Sequence, residues 1–290
     1  FHLEKDYWIS YLKNATLTLN RSKPLLHPTI SVNTGITKLI SKLAYQHRGM
    51  ELSELIVYDG RMLTIDDRSG IVYEIKNYDT VVPRYILSDG PGNMTKGFKG
   101  EWATVKDKKL YIGGMGREYI AQGQVENQNN LWIKIIGKEN VVISVMWDKM
   151  YNYLRKRTGY IYPGYISHEA VVWDDINKQW CFLPRRASNN SYTEEEDLVS
   201  GTNLFICTNE ANTRYKQIKI GEIEKLLGFS SFRFVPHTEN KLIVAIKTHE
   251  QPEDSLLKNK SYLWLFDING NVYADHILIG EGKYEGLEFV

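Results

Sequence analysis

Two serines and three glutamates recur in a pattern that could hold a metal. Reading five residues from Ser53 gives SELIV, and the same shape returns as EWATV from Glu101, EAVVW from Glu169, SSFRF from Ser230 and EGLEF from Glu285. Each copy opens on an oxygen-bearing side chain and runs into an apolar strand. The copies lie 48, 68, 61 and 55 residues apart, the period range of propeller blades rather than of helical solenoids. If each begins the innermost strand of a blade, the five leading residues ring the central channel. Three carboxylates at one spot push one another's pKa up unless a cation sits among them. Oxygen donors with no histidine or cysteine at matching positions favour calcium over zinc.

Other candidates flank this ring. Asp66-Asp67-Arg68 closes the strand that follows the first ring strand, where an aspartate can orient a water or cap a turn. Arg185-Arg186 in Leu183-Pro184-Arg185-Arg186-Ala187 sets two guanidinium forks beside each other, a match for phosphate oxygens, although surface ion pairs are the commoner use. His168 precedes Glu169, and strand alternation turns neighbours to opposite faces, so His168 reads as a packed or hydrogen-bonded histidine. The second histidine of a zinc-protease helix is missing. Gly113-Gly114-Met115-Gly116 lacks the lysine and helix of a phosphate loop, and Ser88-Asp89-Gly90-Pro91-Gly92 reads as a tight turn.

The elements that must position these groups are strands of period two. From residue 54 the runs 54–58, 61–66, 71–75 and 81–87 form one antiparallel unit, separated by Asp59-Gly60 and other turn chemistry,. Further units follow at 101–105, 109–113, 131–136 and 141–147, then near 168–174, 179–183, 203–208 and 215–220, then at 230–235, 241–247, 261–266 and 272–279. The segment 121–130 reads as a polar loop, 149–158 as a helix, and 187–201, with four acids at 194–197, as a mobile surface loop. Ahead of these units, residues 1–48 supply a strand at 15–19 and a short helix within Gly35–Gln46, where Ile36, Leu39, Ile40 and Leu43 have helical spacing. The final run 284–290 has no following partner, so the N-terminal strand is expected to complete a fifth blade. The expectation is one all-β domain over 1–290, a five-bladed propeller with calcium in its channel.

Composition sets the bounds. Hydrophobic content of 42% and charged content of 24% are those of an ordinary globular chain,. A net charge of +1 gives no pull toward nucleic acid polymers or membranes,, and no apolar run reaches membrane-spanning length. Cys181 and Cys207 are too few for a disulfide scaffold or zinc cluster; two buried thiols and one bridge remain equal readings. Sequons at Asn14, Asn20, Asn93, Asn189 and Asn259 point to the secretory route, and a start at Phe1 rather than Met suggests a processed mature form or a trimmed chain,.

Six ordered motifs carry a resemblance. Arg48-Gly49-Met50-Glu51-Leu52-Ser53, Asp66-Asp67-Arg68-Ser69-Gly70, Lys96-Gly97-Phe98-Lys99-Gly100-Glu101-Trp102, Leu183-Pro184-Arg185-Arg186-Ala187-Ser188, Gly228-Phe229-Ser230-Ser231-Phe232 and Lys283-Tyr284-Glu285-Gly286 stand in that order. Over about residues 47–290 the chain resembles the calcium-activated nucleotidases, which include vertebrate soluble nucleotidases and salivary apyrases of bed bugs and sand flies. The resemblance implies a five-bladed propeller that hydrolyses nucleoside di- and triphosphates with Ca2+. It places family calcium ligands on Ser53, Glu54, Glu101, Glu169, Ser230 and Glu285; relatives often carry Asp where this chain has Glu54. In the mechanism this suggests, Asp67 orients or activates the attacking water and Arg185 and Arg186 stabilise phosphate charge. The expected partner is the nucleotide, in a secreted or lumenal setting, with a homodimer left open. A secreted propeller with structural calcium that binds a glycan or protein is the rival reading.

Overall fold

Strands that alternate between two packed faces dominate the chain, and the hydrogen-bond ladders follow the sequence in order. The computed structural model describes residues 2–4, 6–20, 27–251, 256 and 258–290. Four antiparallel sheets of four strands each run consecutively. The first joins Leu52–Tyr58, Arg61–Asp66, Ile71–Lys76 and Thr80–Ile86; the second joins Trp102–Lys106, Lys109–Gly113, Trp132–Ile136 and Val142–Met146. Tyr165–Asp174, Gln179–Ser188, Leu204–Thr208 and Tyr215–Lys219 form the third, and Leu227–Phe234, Leu242–His249, Lys260–Asp267 and Val272–Glu281 the fourth. The first strands of successive sheets are neighbours, so the sheets are blades stacked face to face around a channel. This is a β-propeller.

Apolar burial lies between blades, which is why most strands read as apolar on both faces. Ile56, Leu63, Ile65 and Val72 of the first blade meet Ala103, Leu110, Ile112 and Ile136 of the second. Trp102 and Ile133 meet Trp173, Trp180 and Phe182 of the third, with Met150 and Leu154 from the helix Asp148–Thr158. Between the third and fourth blades, Cys181 and Cys207 stand directly opposite each other on adjacent strands and form a disulfide with Cα atoms 4.2 Å apart. The bridge reading therefore holds over two free thiols. No helix among the described residues is long and apolar enough to cross a membrane.

Three expectations are corrected. The first is the fifth blade: the described residues form four complete blades. N-terminal strands His2–Glu4, Tyr7–Leu12 and Thr37–Ser41 form a separate three-stranded sheet, and among the described residues Ala15–Asn20 pairs only with His27–Val32. Residues 284–290 join no ladder. They lie against the first strand of blade one, where Gly286 is so close that a Cβ would stand 2.6 Å from Leu55 N, and the Val57 amide donates to Glu288 at 3.1 Å. A cavity of about 1310 Å3 is lined by residues from both chain ends.

Second, the helix expected within 35–46 is the strand Thr37–Ser41, paired antiparallel with Tyr7–Leu12. Of its helically spaced residues only Leu39 is buried; Ile36, Ile40 and Leu43 face outward. They form no apolar face, and the neighbouring strand edge satisfies the backbone instead. Third, the loop expected at 121–130 contains a hairpin of Tyr119–Ala121 with Gln124–Asn127. The segment 187–201 carries a short helix, Glu194–Leu198, whose Thr193 cap accepts from the Glu196 amide.

Candidate active site

The ring residues sit where the blades' inner ladders break. Pairing shifts register between Leu52 and Leu55, between His168 and Val171, and between Phe229 and Ser231, so Ser53, Glu169 and Ser230 each occupy a bulge. A bulge leaves its extra residue unpaired and re-aims the side chain. Glu101 lies one residue ahead of its strand, tied by its amide to Gly113 O at 2.7 Å, and Glu285 belongs to the unpaired terminal segment. The repeat thus marks a bulge in three copies, a strand start at Glu101 and an unpaired segment at Glu285.

Around the channel the carboxylates come together with cations of the protein itself. Lys99 Nζ donates to Glu101 Oε1 and to Asp67 Oδ2, each at 2.5 Å. Arg185 binds Glu169 Oε2 at 2.6 Å and lies 2.7 Å from Glu250 Oε2. Arg186 reaches the same Glu250 oxygen at 2.8 Å. Lys283 closes the series, 2.5 Å from Glu285 and 3.3 Å from Glu250. Gly228 makes room for Arg185, since a Cβ there would stand 2.5 Å from its Cγ.

The electrostatics follow from burial and proximity. Burial pushes the Glu101 carboxyl up to about 8, with Glu169, Asp67 and Glu285 adding to the rise against Lys99. Glu285 is raised by burial and Glu169 despite Lys283. Asp67 moves the other way: burial opposes its charge, but Lys99 holds the carboxyl below its usual range. For Glu250 burial is likewise outweighed, here by Arg185 and Lys283, and its carboxyl lies well below the ordinary value. Arg185 keeps its proton more firmly than usual because Glu169 and Glu250 overcome its desolvation.

Most expected site residues converge; one does not. Asp67, Glu101, Glu169, Glu285 and Arg185 share this cluster, and Arg186 joins through Glu250. Ser230 Oγ donates to Tyr284 O at 3.1 Å, which places it beside Glu285's segment, and Ser53 Oγ is buried without a partner. Glu54 is the exception. Its carboxylate accepts from Ser231 Oγ at 2.9 Å and pairs with Arg233 at 3.4 Å, both on the inner strand of blade four. Its side chain therefore serves the contact between blades four and one.

Sequence reasoning missed Lys99, Lys283 and Glu250. A signal for the lysines was present: Lys99-Gly100-Glu101 and Lys283-Tyr284-Glu285 repeat Lys-x-Glu, a spacing that puts both groups on one side of an extended chain,. Glu250 lies just past the strand Leu242–His249 and carries no such mark. The paired aspartates split their two readings. Asp66 caps the turn, accepting from the Met50 amide, the Arg68 amide and Ser69 Oγ, while Asp67 faces the cluster.

A calcium ion would find oxygen donors only. Asp67 Oδ1 and Ser53 Oγ are buried with no hydrogen-bond partner, and Glu101 feels the charges of Glu169, Asp67 and Glu285. This donor set fits a hard cation. Among the described residues, though, no three acidic side chains are drawn into a closed ligand group, since Lys99, Arg185 and Lys283 stand between them.

Comparison with known proteins identifies the family. The family model described as Apyrase matches residues 2–290. The chain is similar to soluble calcium-activated nucleotidase 1 of Rattus norvegicus, 40% identical over 291 residues, covering 99% of this chain and 70% of that protein. It is 43% identical over 252 residues to Apyrase apy-1 of Caenorhabditis elegans, covering 86% and 70%. Similarity to the Apyrase of Cimex lectularius is 38% over 290 residues, covering 99% and 78%. On a family match over nearly its whole length, the chain belongs to the apyrase family.

Proposed function

We propose that the protein is a secreted or lumenal enzyme that hydrolyses the phosphoanhydride bonds of nucleoside di- and triphosphates with calcium, releasing inorganic phosphate. The observation that carries this reading is the meeting, at one end of the channel, of buried carboxylates, two unpartnered oxygens and four cationic side chains. Glu101, Glu169 and Glu285, with Ser53 and Ser230, would hold the metal. Calcium bound there supplies charge withdrawal from the terminal phosphates. Arg185, buried and locked between Glu169 and Glu250, would stabilise phosphate charge through its fixed positive charge rather than through free N–H groups. Arg186, fully buried against Glu250 and Lys225 O, holds that fork in place rather than touching substrate.

Asp67 is the residue for the attacking water. A carboxylate held below its usual pKa is a weak base near neutral pH, so its part is to orient the water by the free Oδ1 for in-line attack. The buried disulfide supports an oxidising compartment. So do the sequons, since Asn14, Asn93 and Asn189 are exposed and Asn259 partly so; the side chain of Asn20 lies outside the described residues.

Phosphate release from ADP, ATP, UDP and GDP should require calcium, fail with magnesium alone and stop with chelator. The variant Glu101→Gln should lose calcium-dependent turnover by about a hundredfold or more while keeping the wild-type circular dichroism. Turnover at the wild-type rate in chelator, or in that variant, would refute the reading.

A further inference from the structure

Lys99 and Lys283 occupy equivalent places in the repeat. Each stands two residues before a ring glutamate and 2.5 Å from its carboxylate. Each also reaches a second acid, Asp67 at 2.5 Å for Lys99 and Glu250 at 3.3 Å for Lys283. The lysine side chains keep 21% and 35% of their exposure, whereas Glu101 and Glu285 keep 3% and 12%. Positive charge therefore lies nearer to solvent than the carboxylates that it neutralises. Asp67, which Lys99 holds by Oδ2, keeps its Oδ1 unpartnered.

Resting on the calcium reading above, we infer that Lys99 and Lys283 are exchangeable counter-ions: they neutralise the ring when it is metal-free and become phosphate ligands when calcium takes the ring carboxylates. Calcium needs carboxylate oxygens within about 2.5 Å, and at that range an ammonium on the same oxygen is repelled and must leave. The lysine stem is flexible and its head is a point charge that re-solvates readily. Arg185 differs, since its planar fork is buried between two acids and stays. Loading the metal thus turns two occupied ammoniums toward the mouth, where the nucleotide's phosphates arrive. Metal and nucleotide then favour each other's binding, and the coupling is reciprocal.

The test is titration calorimetry on the whole chain, first with calcium alone and then with a non-hydrolysable methylene analogue of ADP in saturating calcium. Lys99→Met and Lys283→Met should each bind calcium roughly tenfold tighter than wild type, because a competing cation is gone; Lys99→Arg keeps the charge and should remain near wild type. The same Met variants should bind the analogue roughly tenfold more weakly. Two separate variants guard against one that fails to fold. Calcium binding that is unchanged or weaker in both Met variants, or analogue binding that is unaffected, would overturn the inference and leave the calcium site standing. If wild type binds no calcium, the calcium reading falls and takes the inference with it.

Discussion

His168 shows how a buried residue next to the chemistry can be kept out of it. The ring is fully buried, with both nitrogens lacking a partner, stacked 5.3 Å from Tyr151 and edge-on to Phe182 at 5.2 Å. Burial drives its pKa down to about 3, so the folded chain holds it neutral while the unfolded chain protonates it near 6.5. Between those values the unfolded state binds the extra proton, and stability present above pH 6.5 is lost as pH falls through 3, by about 5 kcal/mol at most. In His168→Phe the acid branch of the stability curve should flatten over that window, as measured by urea unfolding at several pH values. An unchanged slope would mean that other groups set the acid limit. The packed role of His168 was legible from strand alternation, and the gathering of Glu101, Glu169 and Glu285 from the motif repeated at blade spacing. The counter-ions were less legible, because a lysine's partner depends on which blade faces it and not on its own strand.

The element that does most to aim the site is the bulged inner strand. A regular ladder would turn Ser53, Glu169 and Ser230 by simple alternation, but the register breaks at all three positions, and sequence spacing cannot announce a bulge whose extra residue is not glycine. The four blades themselves were readable from period-two runs and turn residues, with strand bounds close to those expected. Where a short segment such as 37–41 had both spacings, the available strand edge decided the outcome. The disulfide belongs to this scale as well. It ties the second and third strands of blade three across 26 residues of sequence, a loop for which the chain-entropy account gives roughly 3 kcal/mol. Replacing both cysteines with alanine should lower unfolding free energy in urea by about that amount. A loss under ~0.5 kcal/mol would show that the interblade core alone fixes the strand pair.

At the scale of the whole molecule, the circle is closed by charge and not by a shared sheet. Arg233, on the inner strand of blade four, donates to Leu55 O of blade one at 2.5 Å, pairs with Glu54 at 3.4 Å and with Glu288 of the terminal segment at 3.2 Å. Burial pushes Glu54 up to about 7 even with Arg233 opposing, so desolvation takes back much of the pair's attraction, as it does for buried ion pairs generally. Removing the arginine leaves the acid alone. In Arg233→Met the folded-state pKa of Glu54 must rise further, while the unfolded value stays near 4.5. Wild type stops losing stability from this group once pH passes about 7; the variant goes on losing about 1.4 kcal/mol per unit above it. The gap between the two, read from urea unfolding, should therefore widen by about 2 kcal/mol between pH 7 and 8.5. Adding Glu54→Gln should abolish the widening, since no carboxylate is left to titrate. A gap that stays constant with pH would place the closure in the apolar contacts of Tyr284, Leu287 and Phe289 with blade four instead of in the Arg233 network.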